Sequence, residues 1–206
     1  ILLEYIVRHI LPRRGIAARE EDVLITLGAQ NALWLIIEIL LGGRRTVVIE
    51  NPVYPGLRAI LNRTASQAIP VDVDEAGMPP EKVPADIDVA FVPPRHHSPT
   101  QATQPVERRR ALLERAEAGD FVIVEDDYEF EIAAATAPSR ALKALDRDGR
   151  GIYVGSFSKS IFPGLRLGYI VASPPFLREA RALRTIVLRH PPGQLQRTAA
   201  YFLSLG

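Results

Sequence analysis

The sequence predicts an α/β fold of three layers (α/β/α), with helices on both faces of a mostly parallel sheet. Two observations carry that expectation. Strand-like and helix-like segments alternate along nearly the whole chain, and several strand segments, such as Val89-Ala90-Phe91-Val92 and Phe121-Val122-Ile123-Val124, are apolar at every position. Unbroken apolarity marks strands covered on both faces, where a one-sided sheet would alternate apolar with polar. A third observation is the balance of 206 residues with 47% hydrophobic and 24% charged content, which suffices for one large domain with a core and excludes a disordered chain.

The elements follow in order. The chain opens on the helical pattern Leu2-Leu3-Ile6-Ile10. Val23–Thr26 reads as a strand, Gly28 as a turn and Asn31–Leu41 as a helix. Strands are expected at Thr46–Ile49, Ala68–Val71, Val89–Val92 and Phe121–Val124, with helices at Tyr54–Leu61 and Val106–Ala118. Ile152–Val154 and Gly168–Val171 complete the strands, and Pro175–Arg189 is the last expected helix. Its arginines Arg178, Arg181 and Arg184 share a face at three-residue spacing, read as solvated or covered by a partner rather than as a nucleic-acid surface.

Composition narrows the function. Zero cysteines exclude a disulfide scaffold, a thiolate metal site and a cysteine nucleophile, and fit a reducing, cytoplasmic setting. A net charge of +1 leaves no footprint for nucleic acid or an anionic membrane. The longest apolar run, Ala32–Leu41, is interrupted by Glu38 and is far short of the roughly 20 residues a membrane span needs. Only three of the 25 basic residues are lysines: Lys82, Lys143 and Lys159.

Open α/β sheets bind ligands at the carboxyl ends of their strands, and chemistry collects there in this chain. Gly28-Ala29-Gln30 opens a helix directly after a strand, where free backbone N–H groups and the positive dipole end suit a phosphate. The same residues would also serve a plain helix cap. Ser156-Phe157-Ser158-Lys159 delivers two hydroxyls and a scarce lysine to a turn, followed by Arg166. Hydroxyls and a guanidinium make a phosphate clamp, and a nearby cation favours a nucleophilic lysine. Glu125-Asp126-Asp127-Tyr128 ends another strand, open to a metal reading or to turn chemistry. The vicinal histidines His96 and His97 lack a third ligand at metal-binding spacing, so no metal site is expected.

Thr26-Leu27-Gly28-Ala29-Gln30-Asn31, Asn51-Pro52-Val53-Tyr54-Pro55-Gly56, Glu125-Asp126-Asp127-Tyr128-Glu129 and the run from Ser156 through Ser160 and Arg166 to Tyr169 resemble the large domain of fold-type I pyridoxal-phosphate aminotransferases. More narrowly they resemble the aminotransferase-like domain of MocR-type regulators of the GntR superfamily. The resemblance covers residues 1–206 as one cofactor-binding large domain. It implies a small C-terminal domain and an N-terminal winged-helix DNA-binding domain outside this chain, and a homodimer.

The resemblance also implies roles. Lys159 would form the imine with the aldehyde of pyridoxal 5'-phosphate (PLP), and Asp126 would keep the pyridine nitrogen protonated. Tyr128 would donate to the phenolic oxygen, and Tyr54 would stack on the ring. Ser156, Ser158, Arg166 and the Gly28, Ala29 and Gln30 amides would hold the phosphate. With an amino acid or other small amine bound, freed Lys159 would serve as general base. The chain departs from the family pattern at Arg95, Ser98 and Gln101, where the regulators carry serine, phenylalanine and glycine and many aminotransferases carry asparagine at the second place, and at Gly42-Gly43-Arg44-Arg45. The first three departures bear on the substrate side rather than on cofactor capture; the last stands where the family reads Pro-Gly-Asp before the next strand. The expected function is the effector-sensing module of a regulator. The alternatives are the large domain of a working aminotransferase and an α/β scaffold that has lost its cofactor.

Overall fold

The computed structural model describes residues 1–43, 45–128, 140–159 and 161–205; Arg44, Glu129 and Ser160, named with the motifs above, lie outside them. Seven strands form one sheet of order β1-β7-β6-β5-β4-β2-β3: β1 (Val23–Thr26), β2 (Thr46–Asn51), β3 (Gln67–Asp72), β4 (Val89–Val92), β5 (Val122–Asp127), β6 (Gly151–Ser156) and β7 (Gly168–Val171). Neighbours from β3 through β6 are parallel, with Phe91 opposite Ile49 on one side and Val124 on the other. Strand β7 runs antiparallel to both β6 and β1. The reversal has a simple cause: a parallel return needs a crossover of a dozen or more residues, usually a helix, and the described residues between β6 and β7 hold no helix longer than the 3₁₀ turn Pro163–Leu165.

Alternate strand residues serve opposite faces. On one face Val47, Ile49, Phe91, Val124 and Val154 pack under α2 (Gly28–Leu40), α3 (Pro55–Leu61) and α5 (Pro174–Leu188), whose Leu33, Ile36, Leu57 and Leu177 are buried. On the other, Val48, Ala90, Val92 and Ile123 pack with Leu112 and Ala116 of α4 (Val106–Gly119). Tyr153, Tyr169 and Phe157 on that face meet Leu2 of α1 (Leu2–Tyr5), Ile6, Ile10 and Ala199 of α6 (Gly193–Ser204). Among the described residues no helix is long and apolar enough to cross a membrane.

Two elements differ from expectation. The amino-terminal helical pattern yields only a short α1, continued by a π turn (Ile6–Ile10) and a 3₁₀ turn (Leu11–Arg14). Pro12 lacks the N–H that a continuing helix needs, and Gly15 ends the segment at φ 73°. Helix α6 was not anticipated, although Pro192 just before it and Leu195, Ala199 and Leu203 at four-residue spacing carry the signal. The α5 arginines are also corrected. Arg184 is buried and donates to the Ile25 carbonyl at 2.7 Å, and Arg181 donates to the carbonyls of Glu21 and Val23. Both tie α5 to the edge strand β1 and the turn before it, so the solvated reading fails for Arg184 but holds for Arg178, which is exposed.

Candidate cofactor site

The turn from β1 into α2 builds an anion cradle from the backbone upward. Thr26 Oγ1 donates to the Gly28 carbonyl at 3.1 Å, and the Leu27 N–H donates to Asn31 Oδ1 at 3.1 Å. This leaves the amides of Gly28, Ala29 and Gln30 at the helix head without helical acceptors. Gly28 sits at φ +78°, and a β-carbon there would lie 3.3 Å from Arg166 Nη2 and 3.6 Å from Ser158 Oγ. The guanidinium and the hydroxyl therefore converge on the head of the helix. Ser158 Oγ is enclosed and has no hydrogen-bond partner among the described residues, and Ser156 Oγ braces the turn by accepting from the Ser158 N–H at 3.3 Å. Gly168 makes the approach possible: a β-carbon there would stand 2.7 Å from the Gly155 carbonyl oxygen and 2.8 Å from the carbonyl carbon of Gly28.

Strand β5 supplies the acid. Its side chains alternate, so Asp126 faces the α2 side while Glu125 and Asp127 are buried behind the sheet. Asp126 Oδ1 is enclosed without a hydrogen-bond partner among the described residues. Burial, and then the Asp127 charge, push its carboxyl up to about 7, against the pull of Lys159. Lys159 Nζ lies 4.3 Å from the centre of the Tyr128 ring. The Tyr128 hydroxyl donates to the His96 carbonyl at 2.7 Å. Tyr54 precedes α3 and lays its ring over Gly56, where a β-carbon would come within 2.4 Å of it. Gln30 Nε2 ties the same glycine to α2 through its carbonyl at 3.1 Å.

All ten residues read from the sequence come together. Nine of them line one cavity of about 340 Å³, with Ser98 and Pro163 completing the wall. Gly28, the tenth, stands against Arg166 and Ser158 at its base. Gln101, in the place of the family's glycine, adopts φ +61°, and His96, earlier in the same loop, adopts +54°. That left-handed region costs a side-chain-bearing residue of this kind roughly 1 kcal/mol. Among the described residues no cluster of three or more histidines and carboxylates is placed to hold a metal.

Sequence reading missed the polar layer behind the sheet, where Arg14, Glu50, His97, Glu125 and Asp127 are all buried. The signal for it was the adjacent carboxylates themselves, since alternation must send Glu125 and Asp127 away from Asp126.

The donor set fits a phosphorylated pyridine aldehyde. The cradle offers amides, a hydroxyl and a guanidinium to a phosphate, Asp126 offers an unmet acceptor to a ring nitrogen, and Lys159 offers an amine. The family model for aminotransferase class I and II matches residues 4–204. The chain belongs to that family. A solved relative, the kynurenine aminotransferase of Pyrococcus horikoshii in complex with PMP, superposes with a TM-score of 0.92 at 31% identity, covering 100% of this chain and 53% of that one. Family membership and that PMP complex indicate pyridoxal phosphate as the family's cofactor here. Among curated proteins, the HTH-type transcriptional regulator TauR of Rhodobacter capsulatus is 59% identical over 206 residues, 100% of this chain and 43% of that protein. The HTH-type pyridoxine biosynthesis transcriptional regulator PdxR of Corynebacterium glutamicum is 34% identical, over 96% of this chain and 43% of its own length. The chain thus spans less than half the length of these two regulators.

Proposed function

We propose that this chain is the PLP-binding domain of a transcriptional regulator, sensing an amino compound and acting on DNA through a winged-helix segment outside this chain, as a homodimer. The observation that carries the reading is the convergence of Lys159, the unpartnered Asp126 Oδ1 and the Gly28–Arg166–Ser158 cradle on one cavity. The 59% identity to TauR across the whole chain favours a regulator over a free-standing enzyme.

When bound, PLP supplies an aldehyde that condenses with amines and a ring that withdraws electrons. The chain's residues do the rest. The amides of Gly28, Ala29 and Gln30 with Ser156, Ser158 and Arg166 hold the phosphate dianion. Asp126 accepts from the ring nitrogen and holds its proton in place. Tyr54 covers one face of the ring and excludes water. Tyr128, whose hydroxyl donates to the His96 carbonyl, would offer a donor to the phenolic oxygen. Among the described residues lining the cavity Lys159 is the only amine, and its Nζ would serve as general base toward the carbon next to a bound amine's nitrogen.

Borohydride reduction of the full-length protein with PLP, followed by peptide mass mapping, tests the reading. A pyridoxyl adduct on Lys159 that vanishes in Lys159→Ala is the expected result. No adduct on the full-length protein would overturn it. The second reading, the large domain of a working aminotransferase, is supported by the 31% identity to the Pyrococcus enzyme. Sustained conversion of a 2-oxo acid by the full-length protein would favour it, and amine-dependent DNA binding without turnover would favour the regulator.

A further inference from the structure

Two loops reach the cavity from neighbouring parallel strands. The one after β2 carries Tyr54, and the one after β4 carries Ser98. The His97 side chain joins them. His97 is 1% exposed, with Nε2 lying 2.9 Å from the Pro52 carbonyl oxygen and Nδ1 lying 2.7 Å from Thr100 Oγ1. A carbonyl can only accept, so Nε2 carries the ring proton and Nδ1 accepts from the Thr100 hydroxyl. The rest of the turn agrees with that tautomer. Thr100 Oγ1 accepts from the Ala102 N–H at 3.3 Å, and the His97 N–H donates to the Ala102 carbonyl at 3.0 Å. Glu50 Oε2, near the end of β2, lies 3.2 Å from the same Nε2 and closes the third side of the ring.

Pro52 stands two residues before Tyr54, and Tyr54 is where the chain leaves the loop to begin α3. The position of the Pro52 carbonyl therefore fixes the exit of Tyr54 over the cavity. His96, one residue before, does separate work: its carbonyl receives the Tyr128 hydroxyl at 2.7 Å. The two vicinal histidines thus serve two different lining residues of the cavity, one through its side chain and one through its backbone.

We propose that His97 is a positioning residue for cofactor binding, holding Tyr54 against the ring through its Nε2–H bond to Pro52 and holding the Ser98 loop through Thr100. The inference rests on the role given above to Tyr54 in binding PLP.

The test exploits the two ends of the imidazole. A glutamine amide nitrogen reaches where Nε2 stands, and an asparagine amide nitrogen reaches only as far as Nδ1. His97→Gln keeps a donor to Pro52, whereas His97→Asn loses it. Both variants lose ring packing, so a purely structural role would lower their melting temperatures and their PLP affinities in parallel. PLP itself is titrated into the cofactor-free full-length protein by equilibrium dialysis. His97→Gln is expected to stay within about threefold of wild-type affinity and His97→Asn to fall by about tenfold, the worth of one hydrogen bond. In a Tyr54→Ala background the difference between the two should vanish. Equal affinities for the two variants would overturn the proposal, as would a difference that persists without Tyr54. Wild-type affinity in Tyr54→Ala alone would instead overturn the role of Tyr54, and the proposal with it. Failure of the wild-type protein to bind PLP at all would strike the cofactor reading itself.

Discussion

Arg14 Nε donates to Asp127 Oδ2 at 2.7 Å, and both side chains are fully enclosed behind the sheet. The Tyr153 hydroxyl donates to the same oxygen at 2.8 Å, and Glu125 Oε1 lies 3.8 Å from Arg14 Nη2. The pair ties the segment before β1 to the strand that carries Asp126. Removing one partner of a buried pair strands the other charge, at roughly 3–5 kcal/mol. Arg14→Ala is therefore expected to lose about that much unfolding free energy in urea, whereas Tyr153→Phe loses about 1 kcal/mol. An Arg14→Ala loss no larger than that of Tyr153→Phe would mean the guanidinium is not what holds Asp127.

Asp127 also acts across the strand. After burial, its charge is the next cause holding the Asp126 carboxyl up at about 7. Asp127→Asn removes that charge and keeps the shape, so the Asp126 midpoint should move down. Carbon-13 carboxyl NMR of the cofactor-free protein reads it directly, with the resonance assigned by its loss in Asp126→Asn. An unchanged midpoint would mean that burial alone sets it.

Stability should fall as pH rises through neutrality. Burial drives Glu50 up to about 8, with the Met78 amide pulling the other way. Glu125 stands raised to about 7, by burial and then by Asp127, against Arg14 and two backbone amides. A carboxyl whose folded pKa exceeds its unfolded value contributes stability that is whole below the unfolded pKa and lost as pH climbs to the folded one. Each such group can cost up to ~1.4 kcal/mol per pH unit in that range. His97, lowered by burial from 6.5, works in the opposite direction and only below that pH. Urea melts between about pH 6.5 and 8 therefore isolate the carboxyls. Wild type should lose stability across that window, and Glu50→Gln should lose less. A flat wild-type profile would contradict the burial argument.

The sequence displayed the layers and the cavity more fully than it displayed what supports them. Apolar runs located all seven strands; for the buried ones the reason is that a strand covered on both faces has no other composition open to it, whereas the edge strand β3 is mostly exposed. The site was legible because most of its residues lie in the loops that follow such runs, and the carboxyl ends of parallel strands collect at one edge of the sheet. Asp126 and Lys159 meet for that reason, and Arg166 joins them because the antiparallel β7 begins at the same edge. The reversal of β7 was not read, since its composition matches that of its parallel neighbours and only the brevity of residues 157–167 betrays it. The buried layer of Arg14, Glu50 and His97 was hidden for a different reason. Each looks like an ordinary surface residue until a partner some 45 to 113 positions away is known, as Pro52 is for His97 and Asp127 for Arg14.

Gly28 offers the sharpest separation of phosphate capture from the rest of the site. Its φ of +78° disfavours any side chain, and a β-carbon would press on Arg166 Nη2 at 3.3 Å. That contact is with the end of a flexible side chain, so Gly28→Ala should fold, at a cost of about 1–2 kcal/mol for the backbone conformation. What it should lose is the convergence of guanidinium, hydroxyl and amides on one anion. PLP and pyridoxal differ only in the phosphate, so dialysis with each ligand divides the effect. Affinity for PLP is expected to drop at least tenfold in Gly28→Ala, about the worth of one charge-assisted hydrogen bond, while the weaker affinity for pyridoxal stays as in wild type. Asp126→Asn should do the reverse in kind, weakening both ligands together, because both carry the ring nitrogen. Equal losses for both ligands in Gly28→Ala would mean the turn shapes the whole cavity and is no dedicated phosphate cradle.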